Sequence, residues 1–226
     1  MLKLIEISKS FGGLKVLNNI SLEIKKEKIG IIGPNGAGKT TLFNIISGFL
    51  KPDSGKIFFM NEDIVGKKPS DLAKLGIIRT FQLTKVFENM TVEENILTIT
   101  DDLSILKEFE LEGKRKELAK NLSHGEMRRL SIAMALAKKP KLLLLDEPFS
   151  GLSRKEVEKV ARIINEIGGN GTSIAIVEHR VKELLNTVER VVVLNSGKLI
   201  FDGSPEDVLK SKAVREAYFG NRYVKG

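Results

Sequence analysis

The sequence predicts an α/β fold: a three-layer phosphate-loop core carrying an antiparallel β subdomain and a small inserted helical subdomain. Three observations lead there. Gly33-Pro34-Asn35-Gly36-Ala37-Gly38-Lys39-Thr40-Thr41 fits the pattern G-x-x-x-x-G-K-[ST]. A strand-like run, Ile29–Ile32, precedes it, and Leu42, Ile45, Ile46 and Phe49 follow at helical spacing as one apolar stripe facing a core. In the second half of the chain, strand patterns alternate with helical ones, which implies a parallel sheet between helical layers.

The phosphate loop has a direct chemical reading. Its glycines let successive backbone N–H groups turn inward around an anion. The helix N-terminus adds partial positive charge and Lys39 a full one where outer phosphates would sit. Thr40 offers a hydroxyl to Mg²⁺. Asn35, Gly36, Gly38, Lys39, Thr40 and Thr41 are the expected phosphate-binding residues of a nucleotide site.

Taken in order, Leu2–Ile7 and Ile20–Ile24 read as strands joined through Phe11-Gly12-Gly13. After the loop and its helix, Lys51–Gly55 is a turn and Lys56–Met60 a returning strand. Residues 83–121 change character and are expected to form the helical insert. Within it, Thr91 and Glu94 make a capping box and Glu117–Lys120 suits a helix. The core is expected to comprise residues 1–82 and 122–226, all in one domain.

From Ser123 the alternation resumes, with a helix near 124–138 and then Leu142–Leu145 as a strand buried on both faces. Ser153 and Glu156 start a helix striped by Val157, Val160, Ala161 and Ile164, and the run Gly168–Gly171 stops it. Ser173–Val177 is a strand. Val181, Leu184, Leu185 and Val188 stripe the next helix, and Val191–Leu194 returns as strand before Asn195–Lys198 turns into Leu199–Phe201.

Composition excludes several classes. There is no cysteine, hence no disulfide framework, no Cys-based zinc site and no thiol nucleophile. Met1–Glu6 lacks the apolar centre of a secretory signal, and no apolar run approaches a membrane span, so a cytoplasmic protein is expected. The net charge of +8 raises the question of nucleic acid. However, the basic residues lie in short clusters interleaved with Glu, with no Trp for base stacking, so a solvated basic surface is expected and no nucleic-acid partner.

Further chemistry sits at strand ends. Asp146-Glu147 follows the buried run Leu142–Leu145. Asp146 can hold Mg²⁺ through its water shell, and Glu147 can orient and deprotonate a water aimed at a γ-phosphate. His179 follows Val177 by two residues, on the same strand-end edge, where it can hydrogen-bond a γ-phosphate oxygen. Leu122–Glu126 is a second capping box, Ser123 with Glu126. Its helix start, with the Ser123 hydroxyl and the Gly125 N–H, makes a second anion site. One phosphate loop plus a second anion-binding helix start suggests a head-to-tail C₂ pair, each subunit closing over its partner's ATP.

The order of loop, glutamine, Ser-x-Gly segment, Asp-Glu and histidine resembles the ATP-binding cassette (ABC) ATPases over essentially the whole chain. The resemblance implies a phosphate-loop NTPase core with Gly33–Thr41 as Walker A and Leu142–Asp146 as Walker B. It makes Glu147 the catalytic carboxylate, His179 the switch histidine and Leu122–Glu126 the signature motif. Gln82 matches the glutamine that touches Mg²⁺ or the water and senses the transmembrane partner. Phe11 matches the aromatic that stacks on adenine. Within the family, Arg79-Thr80-Phe81-Gln82, Phe87–Asn95 and the tail Glu216–Gly220 look like the ATPases of branched-chain amino-acid importers, while urea and lipopolysaccharide systems look much alike.

The implied partners are integral membrane permease subunits and a second ATPase chain, identical or similar, at the inner face of the cell membrane. The implied ligands are ATP and Mg²⁺. The rival readings are a soluble ABC ATPase acting on DNA or ribosomes, and a GTPase or small-molecule kinase on the same loop; no N-K-x-D guanine motif occurs. Four positions depart from the family pattern: His124 and Glu126 in the signature, Ser153 where aspartate is usual, and Arg180 after His179.

Overall fold

The chain opens with an antiparallel hairpin, β1 (Leu2–Phe11) and β2 (Leu14–Ile24), turned at Gly12-Gly13. Both strands run further than the apolar alternation predicts. Irregularities in the register interrupt the pairing between Leu4 and Ile7 and again near Lys9, so the inward pattern is broken where the strand continues. β3 (Lys28–Ile32) leaves the hairpin for a second sheet and runs into the phosphate loop and α1 (Lys39–Ile46). β4 (Ser54–Phe59) returns to pair with β1, and β5 (Glu62–Asp63) completes a four-stranded antiparallel sheet in the order β2-β1-β4-β5.

The computed structural model describes residues 1–81, 85–168 and 171–219. After α2 (Pro69–Leu75) comes β6 (Ile77–Arg79), then α3 (Val92–Leu97) and α4 (Ile105–Glu108) in the inserted region. α5 (His124–Ala137), β7 (Leu142–Asp146), α6 (Arg154–Gly168), β8 (Ser173–Val177), α7 (Val181–Leu185) and β9 (Arg190–Asn195) follow. β10 (Lys198–Gly203), α8 (Pro205–Val208) and α9 (Lys212–Phe219) close the described chain.

The second sheet has the order β10-β9-β3-β8-β7-β6. Every pairing in it is parallel except β10 with β9. Side chains alternate across it. Leu142 and Leu144 of β7 and Ala175 and Val177 of β8 join α1 and the antiparallel sheet in one core. Leu143, Leu145, Ile174 and Ile176 face the other way, against α5, α6 and the insert. β7 and β8 are buried at every residue, as expected of central parallel strands. Because β3, β8 and β7 are neighbours and parallel, their C-terminal ends open at one edge of the sheet, the usual place for a ligand in such folds.

Several expectations require correction. α1 stops at Ile46, because the Ser47 hydroxyl and N–H both bond the Phe43 carbonyl and Gly48 follows. Phe49 therefore leaves the core stripe and is 54% exposed. Glu117–Lys120 does not form an α-helix. Leu118 bridges antiparallel to Thr91, and the N–H groups of Ala119 and Lys120 donate to Met90 and Glu88 before a single 3₁₀ turn. Val188 lies beyond α7 yet stays buried. The three-residue β6 and the short α2 gave no readable period. The Gly169-Asn170 part of the expected helix stop lies outside the described residues. No helix among the described residues is long and apolar enough to cross a membrane.

Candidate nucleotide site

The phosphate loop is shaped by close backbone packing. Gly38 caps α1 at φ 104°, and a Cβ there would lie 2.8 Å from the Val16 carbonyl oxygen, so only glycine fits. No side chain caps the first turn of α1, whose N–H groups therefore remain available to an anion. Lys39 is buried and donates from Nζ to the Gly33 and Pro34 carbonyls at 2.7 and 3.0 Å. Burial lowers its pKa, opposed by the nearby Glu147 charge. A cleft of about 170 Å³ is lined by Val16, residues 35–41 and His179. From the tail, the Tyr218 hydroxyl meets the Gly33 N–H, and burial pushes its pKa up to about 12.

Across the strand ends sit the acidic pair and the histidine. Asp146 ends β7 and is 5% exposed. Its Oδ2 accepts from Arg79 Nη2 at 2.7 Å. Glu147, next in sequence, adopts φ 49°, a left-handed conformation that is costly for a non-glycine residue and typical of functional sites. Its N–H donates to Val177, holding the turn against β8. Its Oε1 lies 2.8 Å from His179 Nε2. The phosphate loop, Glu147 and His179 thus form one cluster, the cleft lining supplying the third side.

Two contributors were not legible in the sequence. Glu178 is almost fully buried, and its carboxylate accepts from the N–H groups of Phe149, His179 and Arg180 at 2.8, 2.6 and 2.9 Å. It fastens the histidine turn to the segment after Glu147. A carboxylate just ahead of a helix start is a possible signal, but its long-range partner Phe149 is not readable. Arg180 helps from the other side, donating to the Leu152 carbonyl at 2.8 Å. Arg79 is the second contributor, and only the fold brings it to Asp146.

At the start of α5, where a second anion site is expected, the predicted capping box is present. The Ser123 hydroxyl accepts from Glu126 N–H, and the Glu126 carboxylate from Ser123 N–H. A carboxylate crowds it from one side, however. The Glu156 carboxylate, which accepts from Ser153 N–H at 2.8 Å, lies close against Gly125. A Cβ on Gly125 would fall 2.3 Å from Glu156 Oε1, so this approach requires glycine. The exposed His124 imidazole packs over Gly151 rather than into the helix start. Ser153 caps α6 together with Glu156.

The remaining expected residues are dispersed. Phe11 is 48% exposed at the end of β1, outside the lining of the loop cleft, with Lys9 Nζ 5.6 Å from its ring centre. It is thus not a core residue. Thr40 is exposed and Thr41 half-buried at the start of α1. Gln82 lies outside the described residues, as does Gly220 of the tail. The donor set suits a hard cation: hydroxyl and carboxylate oxygens, with no cluster of three or more His, Cys, Asp or Glu able to hold a metal among the described residues. That chemistry fits magnesium bound largely through substrate phosphates better than an all-protein cage.

Known proteins share this chain's sequence pattern and fold. A family model described as ABC transporter matches residues 17–150. The lipopolysaccharide export system ATP-binding protein LptB of Haemophilus influenzae is 36% identical, over 96% of this chain and 96% of the relative. The probable branched-chain amino acid transport ATP-binding protein LivG of Archaeoglobus fulgidus is 35% identical, over 95% and 93%. Among solved structures, the ADP conformation of an ATP-binding cassette of an ABC transporter superposes with a TM-score of 0.89 at 32% identity, covering 97% of this chain and 98% of the other. A dimeric, post-hydrolysis cassette bound to ADP and Pi gives 0.78 at 27% identity, covering 91% and 99%. On these matches and this fold, the chain belongs to the ABC transporter family.

Proposed function

We propose that the chain is the ATP-hydrolysing subunit of an ABC transporter, working as a head-to-tail pair on the inner face of a membrane. The observation that carries the reading is the Glu147–His179 pair, 2.8 Å apart, beside a cleft lined by the phosphate loop. Asn35, Gly36, Gly38, Lys39, Thr40 and Thr41 bind the phosphates, and Phe11 offers its exposed ring to adenine. Glu147 takes a proton from the attacking water. His179 holds that water and the γ-phosphate in line, with the imidazole steadied by Glu147 and its turn by Glu178. Ser123 and Gly125 close over the partner's ATP once Glu156 moves away from Gly125. Thr40, Gln82 and, through water, Asp146 are the residues that would hold magnesium, which when bound would neutralise phosphate charge. A groove of about 490 Å³ lined by Phe49, Phe81 and Phe87 receives the permease subunit.

For the solute we propose import of branched-chain amino acids, supported by the Arg79–Gln82 and Phe87–Asn95 segments and by the similarity to LivG. The LptB similarity, at 36% identity, favours a second reading in which the coupled system exports lipopolysaccharide. The test is affinity purification of the tagged chain from its own membranes, with phosphate release measured on the product. Co-purifying integral membrane subunits and ATP-dependent release, competed poorly by GTP, are expected. Recovery with nucleic acid or ribosomes instead would reject the transporter assignment, and the identity of the permease chooses between the two solutes.

A further inference from the structure

We propose that Arg79 is a positioning residue for the metal-side carboxylate: braced against α1, it holds one oxygen of Asp146 and so fixes which oxygen is offered to magnesium. The inference rests on the reading of the site given above. The Arg79 and Asp146 side chains are 4% and 7% exposed, and their 2.7 Å contact is a charge-assisted hydrogen bond between groups 67 residues apart in sequence. The second guanidinium nitrogen, Nη1, donates to Asn44 Oδ1 at 2.7 Å and to Ser47 Oγ at 3.0 Å. Both acceptors belong to α1 or its C-cap, the helix that begins at Lys39 and carries Thr40. The guanidinium also lies 5.7 Å from the Phe43 ring centre and 5.2 Å from that of Phe81. One planar group thus ties the phosphate-loop helix to the end of β7.

An unrestrained carboxylate can turn and present either oxygen, or both, to a cation. Magnesium demands near-octahedral geometry and tolerates such freedom poorly. With Oδ2 taken by Arg79, Oδ1 has no hydrogen-bond partner among the described residues and is the oxygen left to offer. Lysine could keep the charge but could not bond Asp146, Asn44 and Ser47 together, because it lacks the planar fork. The substitution therefore separates position from charge. A guanidinium acting only through its charge would repel a dication, and its effect would survive replacement by lysine.

The experiment compares wild type with Arg79→Lys, using Mn²⁺ as the probe. Mn²⁺ binding is followed by electron paramagnetic resonance on protein saturated with a non-hydrolysable ATP analogue, and metal-free analogue binding is measured in EDTA. Mn²⁺ affinity is expected to fall about tenfold or more, the usual effect of removing a group that orients a metal ligand. Analogue affinity in EDTA is expected to stay within about twofold, since no phosphate-binding residue has changed. Unchanged or tighter Mn²⁺ binding, or an equal loss in EDTA, overturns the proposal. The double variant Asn44→Ala with Ser47→Ala removes both acceptors of the brace and keeps the ion pair, so it covers the case in which Arg79→Lys does not fold. It should weaken Mn²⁺ binding by a smaller factor, and no change would overturn the proposal equally. A wild-type protein that binds no analogue at all would instead overturn the site assignment itself, and the proposal with it.

Discussion

Glu147 Oε1 and His179 Nε2 lie 2.8 Å apart across the ends of the adjacent parallel strands β7 and β8. The contact follows from register: Asp146 pairs with Val177, so the residue one beyond the first strand meets the residue two beyond the second. Glu147→Gln keeps the size of the side chain and removes its basicity. Turnover is expected to fall about 10²–10⁴-fold, the usual worth of general-base help, with ATP binding retained and ATP-bound dimer accumulating. Phosphate release and size-exclusion chromatography in ATP check this; wild-type turnover in the variant would reject Glu147 as the base.

Lys39 is held as a cation where burial disfavours charge, which is the sense of its lowered pKa. A lysine whose pKa is depressed on folding is paid for in stability at neutral pH, and the cost is relieved only as pH rises through the folded value. Lys39→Met is therefore expected to leave the melting temperature without nucleotide unchanged or slightly higher. It should abolish the rise that saturating ATP gives the wild type, about 2.7 kcal/mol at a hundredfold excess over Kd. Thermal melts with and without ATP read both effects.

Two capping boxes provide an internal control. Thr91 with Glu94 and Ser123 with Glu126 make the same reciprocal bonds at the starts of α3 and α5. Thr91→Ala and Ser123→Ala should each cost about 1 kcal/mol of stability in denaturant titrations. Only Ser123→Ala is expected to weaken ATP-dependent dimerisation as well, because that hydroxyl is the one assigned to the partner's nucleotide. Equal dimerisation in the two variants would reduce Ser123 to a cap.

Glu156 accepts from Ser153 N–H and lies against Gly125, and its pKa is lowered chiefly by the Ser153 hydrogen bonds. A depressed glutamate contributes stability above its unfolded value, about 4.3, and the contribution is lost as pH falls through the folded value. Glu156→Gln should accordingly flatten the acid limb of the stability curve. The same change should strengthen ATP-dependent dimerisation at neutral pH, since an uncharged amide beside Gly125 repels the partner's phosphates less than a carboxylate does. Sedimentation in ATP at pH 7 tests that half, and a weaker dimer would count against Glu156 as a competitor for the anion site.

How much was readable depended on sequence distance. The phosphate loop and the capping boxes depend on neighbours within a few residues, and the strands Leu142–Asp146 and Ser173–Val177 announce themselves by unbroken apolar runs. Phe49 was misplaced because spacing cannot register that Ser47 ends the helix two residues earlier. β6, three residues long, carries too little pattern to be seen, yet it delivers Arg79.

By itself, then, the sequence determined the nucleotide loop, the alternation that makes a parallel core, and the chemical types gathered at the strand ends, because each is a local matter of backbone freedom, capping or burial. The tertiary structure alone decided that Arg79 meets Asp146, that Glu178 fastens Phe149 to the histidine turn, and that Glu156 lies against Gly125. Those contacts span tens of residues and exist only because parallel pairing brings the ends of separate strands to one edge, where buried charges must find partners.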